Sequence, residues 1–348
     1  METRTAAAAT DLRAPATAAW RMPGEFEQHE RCLMAWPTRA ELWRGTFEQA
    51  CTEYAGVANA IAAFEPVLMV VNPGDAADAR RRLTDAVELV ELPIDDSWMR
   101  DNGPIFVADR EGRRAGVHFR FNAWGERFPP WDRDAAVAEP LLEHLGIPRI
   151  RSEIVLEGGS ISVDGEGTLI TTEQCLLSPN RNPELGREEI EAELRSRLGV
   201  TTIVWLPWGH ADDRHTDGHV DGVCVFARPG VVLAQTCHDA GHPDRERMAA
   251  NLEVLAATPD AHGRRLEVVE LPYYPYVDVA GQRVMVSYVN LYLANGAAIV
   301  PTAGHPCDEP ALEQLAEALP RREIVGVPAS TVAFGGGGVH CITQQVPA

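Results

Sequence analysis

The chain has 348 residues, 45% of them hydrophobic, and a formal net charge of −20. Such acidity argues against nucleic acid and anionic membrane surfaces as partners and favours small cationic ligands, with plain solubility the alternative explanation. No run approaches the roughly 18 apolar residues of a membrane span, and seven scattered cysteines without a C-x-x-C pair suit free thiols in a reducing, cytoplasmic setting.

In chain order, residues 1–20 lack a positive start, an apolar run and a cleavage site. They read as a loose tail before a single catalytic domain over 21–348. Short β-type runs ending in proline then recur at Cys32–Pro37, Val90–Pro93, Ile203–Pro207, Val269–Pro272 and Val325–Pro328, and Ile154–Leu156 fills the one long gap. Behind each later run a polar or glycine-rich turn leads to a second strand: Pro104–Val107, Ser160–Val163, Val223–Phe226, Val289–Tyr292 and Ile342–Gln344. Helical spacing of apolar residues marks 47–64, 183–198, 244–257 and 310–319. Roughly five strand-turn-strand-helix units result, and units that cannot bury their faces alone either stack or close on themselves. Five that close form an α/β propeller, with the strand before Pro37 completing the last unit. An ordinary doubly wound α/β sheet also alternates strands and helices, but it requires no such period.

The reactive residues fall on this repeat. Cys341 follows Gly335–Gly338 and adjoins His340, so the thiol reads as presented rather than packed; a buried structural cysteine behind a flexible turn is the alternative. The other strand-to-strand turns carry Trp98-Met99-Arg100-Asp101, Glu157-Gly158-Gly159 and His219-Val220-Asp221. Taken singly, Asp101 can cap a turn, Glu157 can be a solvated charge and His219 a satisfied core residue. Their shared phase argues otherwise, because equivalent positions of a closed ring converge at one end of its axis.

The segments Met22–Phe26, Asp95–Pro104, Phe121–Gly125, Glu157–Ile161, Asp217–Asp221 and Gly336–Gln345 resemble, in order and over nearly the whole chain, those of the agmatine deiminases among the guanidine-modifying enzymes. The resemblance implies the five-bladed α/β propeller (pentein) of that superfamily and hydrolysis of agmatine to N-carbamoylputrescine and ammonia, without metal or organic cofactor. It implies Cys341 as nucleophile, His219 as general acid and base, Glu157 as its hydrogen-bonded partner, and Asp101 and Asp221 as guanidinium-binding carboxylates. It also suggests a homodimer or higher assembly.

The chemistry makes sense of these residue types. A guanidinium carbon is a poor electrophile, so it needs a strong nucleophile in a pre-arranged site. Two carboxylates can take paired N–H groups of the fork, each charge-assisted bond contributing about 1.5–3 kcal/mol. A thiol of pKa about 8.5 is only slightly ionised at neutral pH, so the bound cation and an imidazolium are expected to help form the thiolate. Trp98 can pack on the ligand or in the core. Asp213 or Asp217 can meet the distal ammonium of agmatine.

Other readings remain. His210, Asp212, Asp213, His215, Asp217, His219 and Asp221 crowd one stretch as a metal hydrolase would arrange them, but H-E-x-x-H spacing is missing. An amidinotransferase shares the thiouronium intermediate and delivers it to an amine. A binding relic would not call for the thiol. Arg214 and His215 stand before Thr216 where the family commonly has an acidic residue, the loop Trp124–Trp131 is short, and Ser162 replaces an expected histidine. These departures leave a guanidino substrate other than agmatine open.

Overall fold

The computed structural model describes residues 20–348. The tail expected over 1–20 lies outside the described residues, apart from Trp20, which packs partly buried against a hydrophobic cluster containing Leu198 and Val200. The fold is mixed α/β. In chain order, β1 (His29–Ala35), β2 (Val67–Val71) and β3 (Val87–Glu91) are followed by β4 (Ile105–Ala108), β5 (Arg114–Arg120) and β6 (Arg149–Val155). Then come β7 (Ile161–Val163), β8 (Thr168–Thr172) and β9 (Thr202–Leu206), and β10 (Cys224–Arg228), β11 (Val231–Gln235) and β12 (Glu267–Leu271). A hairpin of β13 (Tyr276–Val279) and β14 (Gln282–Met285) precedes β15 (Ala297–Thr302), β16 (Glu323–Pro328) and β17 (Thr343–Pro347).

One pattern recurs in the sheets. β4, β7 and β10 each run antiparallel to the next strand, β5, β8 or β11, which in turn runs parallel to β6, β9 or β12. β17 is antiparallel to β1, β1 is parallel to β2, and β3 adds a further parallel strand. Tyr292 bridges antiparallel to Ile299 in β15, which is parallel to β16. In every case a helix lies in the parallel crossover: Phe47–Ile61, Ala138–Leu145, Arg187–Leu198, Asp244–Ala257 or Asp308–Ala318. The middle strands β2, β8 and β11 are buried at every position, as strands covered on both faces must be.

Two sequence expectations change here. The three-stranded sheets each have a middle strand that the proline punctuation does not mark, because β5, β8 and β11 do not carry the proline-ended pattern used to find their neighbours. The two strands flanking each reactive turn also belong to different sheets, so these turns are crossovers between sheets rather than hairpins. That placement gathers the site. The short helix Met99–Asn102 touches both the turn Gly158–Ser160 and the turn His340–Ile342, and Gly158–Ser160 touches Val220–Gly222. Among the described residues no helix is long and apolar enough to cross a membrane.

Candidate active site

The crossovers bring Asp101, Glu157, His219, Asp221 and Cys341 together, all buried. Gly159 marks their meeting point. A methyl group on its Cα would come within 2.6 Å of His219 Nδ1 and 2.9 Å of both Asp101 Oδ1 and Asp221 Oδ2, so only glycine leaves these groups their places. Its own N–H donates to Asp101 Oδ1 at 3.0 Å, and Trp124 Nε1 donates to Asp101 Oδ2 at 2.9 Å. The short loop that begins at Trp124 therefore fixes a carboxylate of the site.

Cys341 is 7% exposed, more enclosed than a presented thiol, yet it lines a cavity of about 820 Å³ together with His219, Asp221 and Asn290. Asn290 Nδ2 donates to Cys341 Sγ at 3.4 Å, and Sγ lies 3.5 Å from Asp221 Oδ2. The glycine run serves close approach as much as bending. Gly336 alone of the four has a left-handed φ, +107°, and a methyl on Gly337 would lie 2.4 Å from the Trp98 ring. Trp98 packs in the core, one face stacked on Trp43 at 6.2 Å, and it also lines a small cavity beside Asp101 and Cys341.

Burial and the charges of Asp221 and Asp101 push the Cys341 thiol well above its ordinary pKa. Burial would lower His219, but the Asp101 charge and the nearness of Cys175 and Glu157 outweigh it and hold the imidazole well above its usual value. Asp101 is pushed up to about 6 by burial and by the neighbouring Asp221 and Glu157 charges. Glu157 and Asp221 go the other way: despite burial, Arg181 and His219 lower the first, and His340 lowers the second.

Several partners escaped the sequence. Glu157 Oε1 accepts from Arg181 Nε at 2.6 Å, and Glu157 Oε2 stands 3.9 Å from His219 Nε2. The expected Glu157–His219 hydrogen bond is thus an ion-pair contact, because the arginine has drawn the carboxylate to itself. His340 is wedged between two carboxylates, Nδ1 2.9 Å from Asp221 Oδ2 and Nε2 2.9 Å from Glu25 Oε2, with Arg100 Nη2 donating to Glu25 at 2.9 Å. Asn290 lies in a turn between β14 and β15, where the sequence predicts the strand Val289–Tyr292. Arg181 and Cys175 lie outside the reactive crossovers and carried no signal.

The tail residues fare differently. Asp213 lines the cavity, but its carboxylate accepts from the N–H groups of His215, Thr216, Gly218 and His219 and from the Thr216 hydroxyl. Asp217 is held by Arg127 at 2.5 Å and Arg181 at 2.8 Å. Both charges are already spent on the protein. Ser162 Oγ accepts from Phe226 N–H and lines a different, small cavity. Of the crowded stretch, His210 turns away to Asp244 and the Gly222 carbonyl, so it does not join His219.

Known proteins carry the same architecture. An agmatine deiminase of Pseudomonas aeruginosa is 44% identical over 358 residues, covering 96% of this chain and 97% of the relative. The solved agmatine deiminase of Enterococcus faecalis superposes with a TM-score of 0.93 at 37% identity, covering 98% of this chain and 99% of its own. A cysteine-to-serine variant of the C. jejuni agmatine deiminase, solved with substrate bound, gives 0.87 at 27% identity over 94% and 96% of the two chains. With residues 21–347 matching its model, the chain belongs to the Porphyromonas-type peptidyl-arginine deiminase family.

Proposed function

We propose that this chain hydrolyses agmatine to N-carbamoylputrescine and ammonia through a thiouronium on Cys341. The observation that carries the reading is the convergence of an imidazole and two carboxylates around Gly159, with the Cys341 thiol 3.5 Å from Asp221 at the wall of a cavity, in a chain so similar to agmatine deiminases. Asp101 and Asp221 hold the guanidinium fork and set its carbon against sulfur. The free enzyme keeps Cys341 protonated, so the arriving cation, screening Asp101 and Asp221, is what makes the thiolate accessible, the thiol proton passing to solvent. Sulfur adds to the guanidinium carbon, and His219, held protonated, gives its proton to the departing nitrogen, which leaves as ammonia. Neutral His219 then takes a proton from water; the hydroxide adds to the same carbon and the C–S bond breaks, returning the thiol and releasing the ureido product. Glu157 maintains the imidazole's charge across 3.9 Å while Arg181 anchors it.

The repeated sheet pattern, the packing of β7 beside β10 and of β17 beside β4, and the touching crossovers support closure of five units into a propeller. Seven unpaired cysteines support a reducing compartment. A second reading, deimination of another guanidino compound, is favoured by the outer cavity: Asp213 and Asp217 are spent, and Arg214 and Arg283 stand on its wall.

The test is to incubate the protein with agmatine, arginine and a panel of guanidino compounds in chelator, and to measure ammonia and ureido product beside Cys341→Ala. Agmatine is expected to give ureido product that the variant loses by a factor on the order of 10⁴ or more. Turnover of a different guanidine alone would reassign the tail, and a variant as active as the native protein would remove Cys341 from the mechanism.

A further inference from the structure

Cys175 makes and breaks no bond in the hydrolysis described above, yet it lies against its centre. Glu157, Cys175 and His219 offer a carboxylate oxygen, a sulfur and an imidazole nitrogen that all lie within 4.8 Å of one another, every residue buried. Among the described residues this is the one such trio, and it shares only His219 with the crowded stretch that suggested a metal from sequence. Cys175 is held in place by the helical turn Glu173–Leu176, where its N–H donates to Thr172 Oγ1 at 3.2 Å.

Three polar atoms here lack partners. Arg181 takes Glu157 Oε1 and leaves Oε2 without a hydrogen bond, and neither ring nitrogen of His219 has one, although both side chains are at least nine-tenths buried. Buried polar atoms left this way are costly; Glu157 Oε2 seeks a donor or a cation, and a His219 nitrogen can take a cation once the ring gives up its proton. The donor set is selective. Sulfur with imidazole and carboxylate suits zinc, whereas magnesium and calcium take oxygen alone. Zinc holds its ligands at about 2.0–2.3 Å, so closing the trio onto one ion needs side-chain movements on the order of an ångström. His219 also lines the large cavity, which gives an ion a path inward.

We propose that Zn²⁺ binds Glu157 Oε2, Cys175 Sγ and a ring nitrogen of His219, and inhibits the enzyme by occupying the imidazole that hydrolysis requires. Cys175 and the imidazolium of His219 each give a proton to solvent as the S–Zn and N–Zn bonds form, so binding tightens as pH rises. Nothing is oxidised or reduced. The binding half of this inference stands on the trio alone, whereas the inhibition half rests on the role proposed for His219.

The experiment uses the full chain, with Zn²⁺ as inhibitor and Co²⁺ as spectroscopic probe. A thiolate-to-cobalt charge-transfer band is expected in the native protein and in Cys341→Ala, and it is expected to vanish in Cys175→Ala and in Cys175→Val, the second of which refills the space. Zinc should inhibit turnover, chelator should restore it, and half-inhibition should need at least about tenfold more zinc in the Cys175 variants. A band that disappears with Cys341 and survives loss of Cys175 would overturn the assignment, as would equal zinc sensitivity in all active forms. If no guanidine is turned over, the deiminase reading fails, while the cobalt spectrum still decides whether the metal site exists.

Discussion

In the role proposed for it, Asp101 carries two conflicting demands: it must be ionised to hold a cation, yet burial beside Asp221 and Glu157 brings its pKa to about 6. Below that pH the carboxyl is neutral and loses its charge-assisted bonds to the fork, so kcat/KM is expected to rise with pH through about 6 and to fall about tenfold per unit beneath it. A profile flat down to pH 5 would contradict this. Asp101→Asn should lower kcat/KM by a factor on the order of 10–10² and abolish that limb. His340 makes the opposite kind of contribution. Burial and Arg100 oppose its charge, but Glu25 and Asp221 raise its pKa above the ordinary value. The stability it adds is therefore complete below about pH 6.5 and is lost as pH climbs through the raised pKa. His340→Gln is expected to melt well below the native protein at pH 6, with the gap narrowing at alkaline pH; an equal gap at both would show that the charge is not what matters. At this scale the sequence was informative where residues share a repeat phase, as Asp101, Glu157, His219, Asp221 and Cys341 do. Arg181 and Cys175 gave no such sign, because their contacts come from a loop and a helical turn that only tertiary packing brings under the site.

The crossovers work as elements because their backbones approach one another more closely than side chains allow. Gly159 is the clearest case, its missing methyl leaving room for His219, Asp101 and Asp221 at once. Gly159→Ala is expected to reduce kcat/KM by a factor on the order of 10² or more, since a displacement of about 1 Å in reacting groups costs that much, while the sheets on either side persist. Native-like activity in that variant would mean the three groups do not need these positions. The proline-ended strands and the four long helices were legible from punctuation and period. The middle strands were not: β8, Thr-Leu-Ile-Thr-Thr, and β11, Val-Val-Leu-Ala-Gln, are buried at every position, and without alternation a short run does not declare its partners. Missing them joined strands of two different sheets into one strand-turn-strand unit, although the residues carried by the turns do converge.

At the scale of the whole molecule, the site is assembled from residues as far apart as Asp101 and Cys341, so the chemistry exists only when the first and last strands have paired. β17 pairs with β1, Leu33 opposite Gln344, and this register positions the turn that bears Cys341. The acidity of the chain, −20 overall, accords with the cationic substrate proposed for a site that gathers the buried carboxylates Asp101, Glu157 and Asp221. What composition and motif did not convey is the far end of the cavity, where Arg214 and Arg283 line the wall and the two aspartates expected to greet an ammonium are tied up by their own loop and by arginines. The most direct measurement of the central claim is an acid quench of the native protein during turnover of agmatine, followed by intact and peptide mass spectrometry. The account predicts an adduct equal to the substrate less ammonia on the peptide containing Cys341, absent from Cys341→Ala; steady product formation with the adduct on another residue would contradict it.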